Sequence, residues 1–211
     1  MPSNPDPSTV TPYAKRLWWS ALLAVTCLVV GCRSYPPIHT VDQVDLRRFA
    51  GDWYVISHLP TFIETEAYNA VETYEPNGDV IDTTFRFNKG SLDGPEKVYE
   101  PTGFICDESN AVWGMQFIWP IKADFRICYL NEDYSTVVVG RTARDYVWVM
   151  SRTPQMDQEE YAEILRFLER QQYDLSGLRL VPHDNGYRPP DRGPHPRGEP
   201  GSTPAGDSDD H

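Results

Sequence analysis

The chain has 211 residues, room for one domain plus appendages, and its 40% apolar and 24% charged residues are the balance of a globular protein with a packed core. Its formal charge of −12 makes it a poor electrostatic match for nucleic acid or for an anionic bilayer surface. Nucleic-acid binding is therefore set aside at the outset.

Residues 1–31 have the form of an export signal. Lys15 and Arg16 precede an apolar run over residues 17–30 that closes on Gly31 and Cys32. A basic flank, about 14 apolar residues and a small exit residue describe a signal peptide. The run falls short of the ~20 residues that a membrane-spanning helix needs. Val29, Val30, Gly31 and Cys32 also resemble the bacterial lipobox, in which the chain is cut before a Cys that carries acyl chains such as palmitate. Residues 32–43 are then a lipidated linker, with Cys32 as the membrane anchor. Each buried acyl CH₂ contributes ~0.8 kcal/mol, and two or more chains hold a protein stably where one does not. Arg33, rather than Asp, follows the Cys, which in the bacterial sorting pattern points to the outer membrane. An uncut signal anchor and ordinary cleavage near Cys32 are the alternatives.

Between residues 44 and 183 short strands alternate with turn signals. The first strand covers 52–58 and stops at Pro60. The second, 69–74, runs into Glu75, Pro76, Asn77 and Gly78, a hairpin signal because Asn and Gly accept positive φ. A third spans 79–87. Runs at 97–106, 111–119, 124–130, 135–140 and 146–151 follow, rich in β-branched and aromatic residues. About eight sequential strands with short connections suit an all-β, eight-stranded antiparallel up-and-down barrel, which removes exposed edges by closure. On pattern alone a sandwich fits nearly as well.

A helix is expected over 157–170. Tyr161, Ile164, Leu165 and Leu168 fall at i, i+3, i+4 and i+7, making one apolar stripe, and Asp157 is the expected N-cap. This C-terminal α-helix should pack by that stripe on the outside of the barrel, with a short edge strand at 178–181. From 184 to 211 Pro and Gly dominate and apolar residues nearly vanish, the composition of a disordered tail. Cys106 and Cys128 remain after export. An exported pair can form a disulfide, but each sits in an apolar strand-like run where a free buried thiol acts as a small hydrophobe.

Three features carry a family resemblance. Gly51, Asp52 and Trp53 open the first strand as G-x-W. Asn131, Glu132, Asp133 and Tyr134 precede the seventh strand like a T-D-Y loop, departing from it at the Thr position. Arg152 directly follows the eighth strand. In this order, with the helix after them, they resemble the lipocalin family over residues 44–183. Residues 116–120 and 145–154 are similar to its bacterial outer-membrane branch, the apolipoprotein D-like one. The resemblance implies that Trp53 plugs the closed end with the Arg152 guanidinium across its ring, a cation–π contact of ~0.5–2 kcal/mol. Gly51 lets the chain pass close at the barrel floor. Gly51, Trp53 and Arg152 are thus a structural kernel.

The resemblance also turns Trp148, Phe125 and Phe117 inward. Alternation along each strand then adds Met150 and Tyr146, Tyr129 and Ile127, and Met115, while Val55 and Ser57 follow Trp53. The expected ligand-binding residues are Trp148, Phe125, Phe117, Met150, Tyr129 and Met115, an interior suited to a long acyl chain. A barrel merely filled by these side chains is the alternative. Cys128 and His58 are expected to point outward. Loop 119–123 should stand at the open rim, where Trp119 and Ile121 either dip into a bilayer or cover the mouth.

The function implied by the resemblance is non-catalytic binding and transport of fatty acid or lysophospholipid. The protein would be held through Cys32 at the bacterial outer membrane, facing the periplasm or the surface, in envelope maintenance or stress response. A homodimer is compatible with this. No Ser-His-Asp set, metal-spaced His pair or phosphate-binding Gly loop is evident, so no catalytic residue, metal or cofactor is assigned. Some lipocalins are isomerases that use a barrel thiol or carboxylates, which leaves Cys106 and Cys128 as the thiols to place. Tetrapyrrole binding through His58 is a third reading, disfavoured by its expected outward direction.

Overall fold

The computed structural model describes residues 35–60 and 66–184. The expected signal peptide, the lipidation expected at Cys32 and the tail expected beyond 184 lie outside the described residues. Within them the elements are α1 (Leu46–Phe49), β1 (Gly51–Leu59), β2 (Ala67–Asn77), β3 (Val80–Lys89), β4 (Glu96–Tyr99), β5 (Thr102–Ile105), β6 (Val112–Ile118) and β7 (Ile121–Leu130). They continue with β8 (Thr136–Gly140), β9 (Val147–Ser151), α2 (Gln158–Arg170), a 3-10 turn (Leu175–Gly177) and β10 (Arg179–Leu180).

All pairings are antiparallel, the order runs β10-β1-β2-β3-β5-β6-β7-β8-β9, and β1 bonds β9 as well as β2, so the sheet closes on itself. β4 and β5 both pair with β3 and form one stave, expected as the single run 97–106. Pro101 stands at the break, where a residue without an N–H cannot join the ladder. With β4 and β5 taken together, eight staves make the up-and-down barrel, and the sandwich is ruled out.

The connections β3–β4, β6–β7 and β8–β9 lie at the open end. The other end carries the β2–β3 turn, where Gly78 takes φ +62°, the β5–β6 turn, loop 131–135 and α1. α1 is a single turn, too short to show periodicity in the sequence. Asp45 caps it by accepting the N–H groups of Arg47 and Arg48. The turn lays Phe49 under the barrel against Trp53, Tyr74 and Trp113, with ring centroids 5.2, 5.1 and 5.6 Å away.

α2 begins as expected, with the Asp157 carboxylate accepting the N–H groups of Glu159 and Glu160. Ile164 and Leu168 are buried against Cys128, Val138, Val147 and Val149, the outward side chains of β7–β9. Tyr161 packs lower, near Tyr54, Ile56 and Val71. Residues 37–43, expected as linker, partly belong to the fold. Ile38 is buried in the same outer cluster as Cys128, and the Val41 N–H donates to the Ile127 carbonyl at 3.0 Å.

Strand bulges overturn several facing assignments. An extra residue at Ile56 sets Ser57 opposite Val149 and His58 opposite Trp148. Ser57 therefore faces outward, and His58, expected outside, lies on the inner face. A second bulge at Cys128 sets Tyr129 opposite Val138, an outward residue, and Leu130 opposite Val137, an inward one. Tyr129 is thus outside the barrel, its ring 5.7 Å from Phe167 of α2. A third bulge, between Met115 and Ile118, interrupts the alternation before Phe117, which is 41% exposed at the rim. Each bulge inserts one residue, and one residue is enough to reverse every facing beyond it.

Candidate ligand site

The site is built on its plug. The Arg152 guanidinium carbon lies 3.7 Å from the centre of the Trp53 ring. Its nitrogens donate to the carbonyls of Asp52 (2.8 Å), Arg48 (2.8 Å), Phe49 (2.9 Å) and Tyr134 (3.2 Å). One planar fork thereby ties together α1, the start of β1 and loop 131–135, a geometry that a Lys ammonium does not match. Burial pushes Arg152 down to about 10, against the opposing pull of Asp52. The Trp53 indole N–H donates to the Phe49 carbonyl at 2.8 Å. Gly51 takes φ +95°, and a Cβ there would stand 3.6 Å from the Arg152 fork.

Loop 131–135 supports the plug. Asn131, of the Asn131 and Glu132 pair that replaces the motif's Thr, accepts the N–H groups of Ser135 and Thr136, both at 2.9 Å. Tyr134, at φ +63°, accepts the Asp45 N–H through its hydroxyl and carries the Arg48 guanidinium 4.0 Å above its ring.

Above the plug the interior is aromatic and falls into two groups. The lower group joins Phe49, Trp53, Tyr74 and Trp113 to Phe125, whose ring stacks on Trp113 at 4.8 Å and 6°. The upper group centres on Trp148, with Phe85 at 5.0 Å and Tyr146 at 5.4 Å, and continues through Phe87 to Tyr99. Of the six expected lining residues, Trp148, Met150, Met115 and Phe125 lie in this inner cluster. Phe125 belongs to the floor, beneath Trp148. Phe117 and Tyr129 do not line the interior, for the reasons given above.

Two polar residues on the inner wall were missed from sequence. Glu72, 1% exposed, pairs across the sheet with Trp53 and Phe85, both inward residues. His58, 3% exposed, pairs with Trp148. Glu72 was legible, since parity from Trp53 through Tyr74 selects it. His58 was not, because the bulge that turns it inward leaves no mark in the hydropathy pattern. Beneath Glu72 the Tyr74 phenol is pushed well above its ordinary value by burial and by the nearby carboxylate.

The thiols lie elsewhere. Cys106 and Cys128 are both free, and Cys106 is exposed rather than buried in a strand. Cys128 sits outside the wall, and burial pushes its thiol up to about 12. It therefore offers no thiolate to the barrel interior, as an isomerase of the thiol type would require. Among the described residues, no three His, Cys, Asp or Glu side chains gather into a set that could hold a metal ion.

A closed eight-stave barrel, plugged at one end and lined by aromatic side chains above the plug, defines a class of protein that holds small hydrophobic ligands. The lipocalin-like domain family matches residues 44–183, and the chain belongs to the lipocalin family. It is similar to temperature-induced lipocalin-1 of Arabidopsis thaliana, 26% identical over 156 residues that make up 70% of this chain and 84% of the relative. It is also similar to the outer membrane lipoprotein Blc of Escherichia coli K12, 28% identical over 157 residues, 71% of this chain and 86% of the relative. The solved structure of insecticyanin from the tobacco hornworm Manduca sexta matches with a TM-score of 0.55 at 16% identity, over 70% of this chain and 85% of that one. At that identity the likeness concerns the fold.

Proposed function

We propose that this lipocalin is a membrane-anchored lipoprotein of the bacterial cell envelope, placed at the outer membrane and carrying acyl-chain lipids. The observation that carries the reading is the upper aromatic group, Trp148 with Phe85, Phe87 and Tyr99, standing above a plugged floor. An acyl chain fits such a lining because its gain on binding is burial of apolar area, ~25 cal/mol per Å². Fatty acid and lysophospholipid are the ligand classes. Either enters tail first, since moving an anionic head from water into this apolar aromatic lining costs far more than moving an acyl tail. His58, on the inner wall beside Trp148, and Arg179, its partner across β1 and β10, then stand nearer the mouth, where an anionic head remains. The relatives named as outer membrane lipoproteins support anchoring through Cys32.

Mass spectrometry of lipid extracted from the natively purified protein tests the ligand class. Fatty acid or lysophospholipid at near one equivalent is the expected result. No bound lipid, together with no displacement of an apolar fluorescent probe by added lysophospholipid, would falsify the carrier reading. Cys32→Ala is expected to move the protein from the membrane to the soluble fraction, and retention on the membrane would remove the anchor.

A further inference from the structure

The hairpin joining β6 to β7 exposes an unbroken apolar tip. Phe117 is 41%, Ile118 67%, Trp119 82% and Ile121 69% exposed. Pro120 completes the run, and no charged residue interrupts it. A nearby open-end loop adds Leu92, 38% exposed. Contiguous exposed apolar surface of this kind marks an interaction site rather than ordinary surface. Trp is suited to a membrane interface, having an apolar ring with one polar handle. Lys122, the first charge after the tip, holds its ammonium 3.3 Å from the centre of the Phe104 ring, back along the hairpin stem.

The path of the N-terminal segment supplies a second, independent observation. Ile38 packs beside Gly140, at the upper end of β8. The His39 N–H donates to the Gln171 side chain at the C-terminal end of α2, and Arg144 of the β8–β9 loop donates to the Gln171 carbonyl. The chain therefore joins the fold at the open end. Arg126 is the β7 residue opposite Gly140, so residues 121–125 of β7 project past β8. At ~3.3 Å per residue that projection is about 15 Å along the strand. Cys32 precedes Ile38 by six residues, which span at most about 20 Å. That length is enough to bring Cys32 to the level of the hairpin tip, where acyl groups on it would enter the same bilayer.

We infer that the barrel mouth faces the bilayer, with the tip formed by Phe117, Ile118, Trp119 and Ile121 inserted among the lipid headgroups as a second contact beside the acyl anchor. The inference rests on the anchor reading for the role of Cys32, while the tip itself stands on its exposure. Lipid then passes between membrane and barrel without crossing water, and the acidic body of the domain is held away from the surface.

The test uses the full lipidated chain on phosphatidylcholine vesicles with brominated acyl chains. An environment-sensitive fluorophore is attached either at the tip, Trp119→Cys, or at the closed end, Asn77→Cys, in a Cys106→Ser background. Cys128 is buried and Cys32 is blocked by lipid. Only variants that keep the parent's thermal midpoint are used. The expected result is a blue shift and loss of emission at position 119, with neither at 77. A bound protein whose 119 label stays in water overturns the inference and leaves the anchor standing, and so does equal quenching at both sites. The Cys32→Ala chain separates the two readings. If the intact chain binds no better than it does, the anchor falls, while quenching at 119 in either chain still supports the tip. Shielding at 119 that appears without vesicles and grows with protein concentration identifies a self-association face instead and overturns the inference.

Discussion

The two ends of this barrel are built from the same residue types put to opposite uses. At the closed end Phe49, Trp53, Tyr74 and Trp113 are fully buried, and Arg152 is held by one ring and four carbonyls. At the open end Phe117, Ile118, Trp119 and Ile121 meet solvent, with no such network around them. The difference teaches where aromatic side chains stabilise and where they select. A ring enclosed by neighbours contributes its full transfer free energy and fixes one geometry, whereas a ring at the mouth is left with area to bury against something else.

The comparison can be broken from either end, most strongly at the plug. Trp53→Ala is expected to cost about 3–5 kcal/mol, because it opens a cavity and strips the Arg152 fork of its ring. Thermal or denaturant unfolding measures this. A variant with unchanged stability but altered ligand choice would move Trp53 out of the floor and into the site. Asn131→Ala should cost about 1–2 kcal/mol, since the Thr136 N–H loses its acceptor and the Ser135 N–H is left with the Asp133 carboxylate alone. A loss below the error of the unfolding curve would show that water replaces the side chain.

Trp148→Leu, one layer higher, should weaken lysophospholipid binding about tenfold, equivalent to ~1.4 kcal/mol. Titration with an apolar fluorescent probe reads it, and unchanged affinity would return the upper aromatic group to plain core. The smallest effect concerns the segment that seals β1 against β2 in the upper half. His183 donates from Nε2 to the Val55 carbonyl at 2.8 Å, and burial holds its ring below the ordinary value while that bond opposes the shift. The detached state therefore takes up a proton first. The stability from seating His183 is complete above pH ~6.5 and is lost as pH falls through the lower folded value. Hydrogen exchange at the Asn69 and Val181 amides, which bond Pro182 and Ile56, should lose protection on acidification while the amides of the plug keep theirs. Equal protection at both pH values, after correction for intrinsic rates, would rule the switch out.

Much of the closed end was legible in the sequence, since Gly51, Trp53 and Arg152 stand at fixed places on their strands and the geometry joins them. The helix was equally legible, because its stripe and its Asp157 cap are local patterns. The open end was not. Tyr129 was expected inside by simple alternation, Phe117 inside by the family resemblance, and His58 outside. A bulge on each of three strands changed all three positions. Alternation has period two, so it carries a face assignment only as far as the next inserted residue.

By itself the sequence determined the family kernel, the stave count and the amphipathic helix, because each is written in residues close together or in a short motif. The tertiary structure alone decided the single turn α1 beneath the floor, the inward position of His58 and the entry of the chain at the open end. These depend on which strand lies beside which and on where one extra residue is absorbed. That is settled by pairing across the closed sheet, between residues as distant in sequence as His58 and Trp148.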